Sequence, residues 1–265
     1  MDNRTTALIT GASSGIGQAY AQRLAARGHD LVLVARRADR LAELAADLRS
    51  VHVKALPVDL AVGDGIAAVE AEIAGNPDLA VVVNAAGIGA LGPLVDADVA
   101  DVEQLVTLNV LALTRLSRAA LSAFRARGGG QLVNIGSLGA FRAPPGGAAY
   151  GASKAYVLHL SRALQRETAD TGTQVQVVLP GPVRTEFFDA AGSDATLFPD
   201  ESFITAEELV DAALSGLDRG ELVCIPTLQD VAAWERVAAL QDELRDLAGL
   251  RGIIAPRYTP ANRTK

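Results

Sequence analysis

Thr10-Gly11-Ala12-Ser13-Ser14-Gly15-Ile16-Gly17 decides how the rest of this 265-residue chain is read. It follows an apolar run, Thr6–Thr10, and opens a stretch of helical character beginning at Gly15. Glycines at such a junction permit a tight turn and let backbone approach a pyrophosphate closely, while the first amides and the dipole of the helix attract the anion. The spacing is Gly-x3-Gly-x-Gly rather than the commoner Gly-x-Gly-x-x-Gly, but the flanking strand and helix are the setting a dinucleotide loop requires.

Working outward, apolar runs recur at Asp30–Ala35, Val51–Pro57, Leu79–Asn84, Gln131–Ile135, Gln174–Leu179 and Leu222–Ile225. Between them lie helical candidates at about Gly15–Gly28, Asp39–Arg49, Val62–Ala74, Asp98–Arg127, Ala149–Thr171 and Thr205–Leu217. This alternation is the pattern of repeated βαβ units, and strands of near-continuous apolar character are expected to be covered by helices on both faces. The length suits one large α/β domain, expected here to span 1–265. Two stretches break the rhythm. Residues 185–204 form a long connection carrying Phe187, Phe188, Phe198 and Phe203, expected to be a substrate lid. Residues 229–247 place Val231, Trp234, Val237, Leu240, Leu244 and Leu247 at helical spacing, which predicts an amphipathic helix with one buried face, packed on its own domain or on another subunit.

Composition narrows the function. With 49% hydrophobic and 21% charged residues there is ample material for a core, which excludes disorder as the main state. A net charge of −7 and 4% aromatics argue against nucleic-acid binding. Cys224 stands alone and reads as a small core residue. No export signal or membrane span is read from the sequence, so a soluble, cytoplasmic chain is expected. His29, His52 and His159 read as structural or solvated, and no metal site is expected.

Further motifs follow in order: Asn84-Ala85-Ala86-Gly87, Asn109, Ser137, Tyr150-Gly151-Ala152-Ser153-Lys154, and Pro180-Gly181-Pro182-Val183-Arg184-Thr185. With the glycine loop, this set resembles the short-chain dehydrogenase/reductase family over about Thr6 to Ile225. The resemblance implies a doubly wound Rossmann fold with seven parallel strands in the order 3-2-1-4-5-6-7. It also implies hydride transfer between a nicotinamide and a carbonyl or secondary alcohol, and a homodimer or homotetramer.

Tyr150 and Lys154 are four apart in a predicted helix and project from one face. A tyrosine pKa near 10 must fall by ~3 units, on the order of 4 kcal/mol, for the phenol to be a base near neutrality. A nearby ammonium acts in that direction. The resemblance implies that Tyr150 is the proton donor or acceptor and that Lys154 also binds the nicotinamide ribose. Ser137, at the carboxyl end of a strand, can orient and polarise the substrate oxygen. Asn109 is a poor residue for a helix interior, and the resemblance implies that it holds a water relaying protons toward the lysine.

Cofactor choice is read after the second strand, where Arg36 and Arg37 stand in place of an acidic residue. A guanidinium is permanently charged and forks onto phosphate oxygens, so NADP(H) is expected in preference to NAD(H). The resemblance places Asp59, with Leu60 beside it, at the adenine, and Val183 and Thr185 at the nicotinamide carboxamide. It places Gly11, Ser13, Ser14, Gly15, Ile16, Gly17, Asn84, Ala85, Gly87, Pro180 and Gly181 along the rest of the cofactor. Leu138, Phe141, Phe187, Phe188 and Phe198 point to an apolar substrate.

Three rival readings remain. Gly11-Ala12-Ser13-Ser14-Gly15 also fits the nucleophile elbow of a serine hydrolase, with Ser13 as nucleophile, although no late histidine completes it. A non-catalytic NADP(H) sensor would bind the cofactor without needing Asn109, Ser137, Tyr150 and Lys154. A nucleotide-sugar epimerase shares the Tyr–Lys spacing, but the connection after Thr185 leaves little room for a sugar-nucleotide domain.

Overall fold

The computed structural model describes residues 4–142, 144–191, 198–249, 252 and 254–258. The chain separates into two compact units, 1–226 and 227–265. In the first unit, strands β1 (Thr6–Thr10), β2 (Asp30–Ala35), β3 (Val53–Pro57), β4 (Leu79–Asn84), β5 (Gly130–Ile135) and β6 (Thr173–Val178) join the short β9 (Val223–Cys224). They form a seven-stranded sheet in the order β3-β2-β1-β4-β5-β6-β9. Every pairing is parallel. The expected winding is therefore present, its seventh position filled by β9 because two further short strands intervene in the chain.

Side-chain alternation sends neighbouring strand residues to opposite cores. Ile9 and Leu33 pack with Tyr20 and Leu24 of α1 (Gly15–Ala26), Leu41 of α2 (Ala38–Asp47) and Leu209 of α8 (Ala206–Asp218). Leu8 and Val32 pack on the other face with Ile66 of α3 (Gly63–Gly75), Leu116 and Phe124 of α5 (Leu113–Arg127) and Leu164 of α6 (Ala148–Glu167). At the edge, no residue of β3 is fully buried, and its exposed Lys54 pairs with Glu72 at 2.7 Å, a charge that discourages further strand pairing.

Strand order reverses between β1 and β4, so the connections leaving their carboxyl ends diverge and open a crevice there. The glycine loop and Ala85–Gly89 both start at this point. Thr10 ties them together: its hydroxyl accepts from the N–H groups of Ala85 and Ala86 at 3.1 and 3.0 Å.

The predicted helix over 98–127 is interrupted. After α4 (Val99–Val106), residues Thr107–Ala112 take a π-helical turn before α5 begins, and Asn109 lies inside that turn. The long connection contains a two-stranded parallel ribbon, β7 (Val183–Arg184) with β8 (Ile204–Thr205), and the short helix α7 (Phe187–Ala190). Residues 192–197 of the expected lid lie outside the described residues. Thr205 then starts α8 with a capping box, accepting from Glu208 N–H at 3.1 Å while the Glu208 carboxylate accepts from Thr205 N–H at 2.8 Å.

In the second unit, α9 spans Val231–Gly249, and the Asp230 carboxylate accepts from Ala232 N–H at its start. The helix is where its spacing predicted, and Leu240, Leu244 and Leu247 of its apolar row are 62–75% exposed. Alanine, leucine and glutamate favour the helix intrinsically. No helix among the described residues is long and apolar enough to cross a membrane.

Candidate active site

Gly11 and Gly15 adopt φ of +68° and +54°, which L side chains rarely reach. A Cβ at Gly17 would lie 2.3 Å from Gly11 O, so the turn folds directly against the first turn of α1. The resulting cleft is lined by Gly11, Ser13–Gly17, Val34–Arg37, Val58–Leu60, Ala85–Gly89, Leu108 and Thr185–Phe187. Most of the expected cofactor positions thus share one groove. Asn84 does not: its amide donates to Ser117 Oγ and Asn134 Oδ1 in a buried polar network, because as the last residue of β4 it points into the core. Pro180 is buried and its carbonyl accepts from Leu138 N–H at 2.9 Å, which brings the Pro180-Gly181 turn against the loop after β5. Asp59 caps its own turn, accepting from Ala61 N–H at 2.8 Å.

One end of the groove is charged. Arg37 donates to Ser13 Oγ and Ser14 Oγ, at 3.0 and 2.7 Å, and to a carboxylate oxygen of Glu186 at 2.9 Å. Arg40, one turn further along α2, donates to the second Glu186 oxygen at 2.6 Å. These two guanidiniums hold the Glu186 carboxyl below the usual carboxylate range. Arg36 is exposed at the same rim and has no hydrogen-bond or ion-pair partner among the described residues. Neither Arg40 nor Glu186 was legible as a site residue, since Glu186 stands 146 positions from Arg40 in sequence. Ser13 Oγ is engaged by Arg37, not by a histidine, so the hydrolase arrangement is not assembled.

The other end is buried. Ser137 caps a single 3-10 turn, its hydroxyl accepting from Gly139 N–H at 3.0 Å, and it lies beside the Tyr150 phenol, whose ionised form it favours. Lys154 is 7% exposed and donates from Nζ to Ile135 O at 3.0 Å, with Nζ 5.7 Å from the centre of the Tyr150 ring. Asn109 is also buried; its amide grips Ile88, accepting from the N–H at 3.0 Å and donating to the carbonyl at 2.9 Å, and donates to Ser153 Oγ. Ser153 in turn donates to Tyr150 O at 2.7 Å. A Cβ at Gly87 would lie 3.2 Å from Asn109 Oδ1 and 3.6 Å from Lys154 Nζ, so the segment after β4 runs close beside both residues. The π-turn thus anchors that segment to α6, a role that mid-helix sequence pattern did not signal.

The expected downward shift of the tyrosine is not what the chain supplies. Burial pushes the Tyr150 phenol up, and Ser137 beside it only partly opposes this. Burial also lowers the Lys154 ammonium to about 8, because removing a cation from water favours its neutral form. Phe187 covers this end, its ring 5.6 Å from that of Tyr150. Phe188 meets the Phe187 ring edge-on at 5.7 Å and packs with Phe198 and Phe203, at centroid distances of 5.6–6.3 Å, in a small core of the connection itself.

The sequence pattern of the short chain dehydrogenase family matches residues 5–196. The chain belongs to this family. A short-chain dehydrogenase from Sphingobium yanoikuyae, solved with NADPH, is similar at 44% identity and a TM-score of 0.92, covering 96% of this chain and all of that one. The bulky-bulky ketone specific alcohol dehydrogenase of Comamonas testosteroni is 39% identical with a TM-score of 0.88, covering 97% of this chain and 100% of its own. The NADP-dependent 3-hydroxy acid dehydrogenase of Schizosaccharomyces pombe is 34% identical over 234 residues, 83% of this chain and 89% of its own length. This short-chain dehydrogenase is accordingly a nicotinamide-dependent oxidoreductase that transfers hydride and acts on CH–OH groups.

Proposed function

We propose that this dehydrogenase uses NADP(H) in preference to NAD(H) to interconvert an apolar ketone with bulky substituents and its secondary alcohol. The observation that carries the reading is the meeting of Ser137, Tyr150 and buried Lys154 beside a groove lined at its far end by Arg36 and Arg37, with Arg40 joined to that rim through Glu186. The residues present fit the cofactor: the glycines leave no side chain between backbone and a pyrophosphate, and Arg36 and Arg37, which line the groove, are guanidiniums of the kind that would bind a 2′-phosphate. The cofactor, when bound, supplies or accepts the hydride. Ser13–Gly17 and the α1 N-terminus would hold its pyrophosphate, Asp59 and Leu60 would border the adenine, Ala85 and Gly87 its middle, and Val183 and Thr185 the carboxamide.

In reduction, Tyr150 donates its proton to the substrate oxygen while Ser137 holds that oxygen in place. Burial suits this direction, since it keeps the phenol protonated at neutral pH. In oxidation the phenol must first lose its proton, and the Lys154 ammonium favours that loss. Asn109 acts by positioning the Ile88 segment and, through Ser153, the start of α6. Phe187 and Leu138 offer the substrate an apolar wall. The bulky-ketone preference of the Comamonas relative supports the choice of substrate class, and exposed Val106 and Leu111 support a dimer or tetramer through the α4–α5 face.

The test is NADPH consumption against ketones graded by the size of both substituents, with wild type and Tyr150→Phe. Turnover is expected to rise with bulk in the wild type and to fall about a thousandfold in the variant. Equal rates in the two proteins contradict the mechanism. Light scattering reads the assembly, and fractionation reads the expected cytoplasmic location.

A further inference from the structure

Glu186 follows Thr185, whose methyl group lies close enough to Gly15 that a Cβ there would sit 2.9 Å from it. Its carboxylate is therefore held beside the glycine loop, at the rim where Arg37 and Arg40 converge. Each of its two oxygens takes one guanidinium, at 2.9 Å from Arg37 and 2.6 Å from Arg40. This is the bidentate, doubly cationic arrangement in which a phosphate would be bound, with a carboxylate of the chain itself in the phosphate's place. The pairs are not locked in: the side chains of Arg37, Arg40 and Glu186 are 39%, 40% and 50% exposed. Arg37 also donates to Ser13 Oγ and Ser14 Oγ, bonds that do not involve Glu186 and that hold its guanidinium against the glycine loop. Glu186 also immediately precedes α7, whose first residue, Phe187, covers Tyr150.

We propose that Glu186 is a displaceable internal counter-ion: it competes with the cofactor's 2′-phosphate for Arg37 and Arg40, and so sets how strongly the protein discriminates between the two nicotinamide cofactors. The proposal rests on the NADP(H) reading above. An unphosphorylated cofactor leaves the Glu186 pairs intact, whereas a 2′-phosphate must break or share them. The native carboxylate thus moderates the preference that three arginines alone would produce.

The probes are 2′,5′-ADP and 5′-AMP, bound to the intact protein and measured by calorimetry, which needs no turnover. In Glu186→Gln, 2′,5′-ADP is expected to bind about tenfold more tightly than in wild type, with 5′-AMP changed less than about twofold. Glu186→Ala is expected to behave the same way, which separates loss of charge from any new amide contact. The gain should shrink as salt screens the exposed charges. If the wild type prefers 2′,5′-ADP but neither variant gains, or if the variants bind it more weakly, Glu186 is a support for the arginines and the proposal fails while the cofactor reading stands. If wild type and variants bind both probes alike, the cofactor reading fails and the proposal falls with it.

Discussion

At the arginine end of the cleft, Arg37, Arg40 and Glu186 are 39–50% exposed and share their charges among themselves, whereas at the tyrosine end Lys154 and Asn109 are 7% and 2% exposed and each is fixed to backbone. Exposed charges in high dielectric interact weakly and exchange partners readily, which suits a site that must accept and release a phosphate. Buried polar groups cost more to place and hold their geometry, which suits a site that must present a proton at one atom. The two ends should therefore fail differently when altered, one in affinity and the other in turnover.

The sharpest way to break this contrast is Lys154→Met. Turnover is expected to fall by two to three orders of magnitude, read under saturating NADPH. Stability should move the other way. Because burial lowers the folded-state pKa from 10.5 to about 8, the ammonium destabilises the fold fully below pH 8, and the penalty fades as pH rises toward 10.5. That penalty is on the order of 3 kcal/mol, offset by loss of the bond to Ile135 O. The melting temperature at pH 7 should hold or rise; a marked drop would mean that Lys154 supports the fold and does not strain it.

Next in size is Arg37→Ala. Its effect should appear as a roughly tenfold weaker affinity for NADPH, little change for NADH, and a reduced dependence of NADPH binding on salt. A loss confined to turnover would erase the distinction between the ends. The smallest effect is on the pH profile of reduction. The rate should be level below pH 8 and decline above it, as the Lys154 ammonium loses its proton and the raised phenol follows at higher pH. An inflection below pH 7 would point to a different titrating group.

The same contrast explains what could be read from sequence. The glycine loop, the strand order and the Tyr150–Lys154 spacing are local patterns, each contained within a few residues or repeated regularly, and they predicted the winding and the buried end of the site. Asn109 could be singled out, but the π-turn that carries it could not, since the apolar spacing on either side continues as if one helix ran through. Arg36 and Arg37 were visible as neighbours after a strand. Their counter-ion was not, because Glu186 meets Arg37 across 149 positions and only the return of the chain after β6 brings it there. Among the lid phenylalanines, composition could not say which one faces the tyrosine and which three pack together. The row of leucines on α9 was legible as a stripe, yet spacing alone carries no information about what covers it.

NADPH-dependent reduction of a bulky ketone is the reaction on which the two ends of the cleft converge. The most direct measurement is kcat/KM with NADPH and with NADH, using one aryl ketone carrying two large substituents. Ketone-dependent oxidation of both is expected, with NADPH favoured by at least about tenfold. Cofactor binding without any ketone-dependent oxidation, or an equal or greater efficiency with NADH, would contradict it.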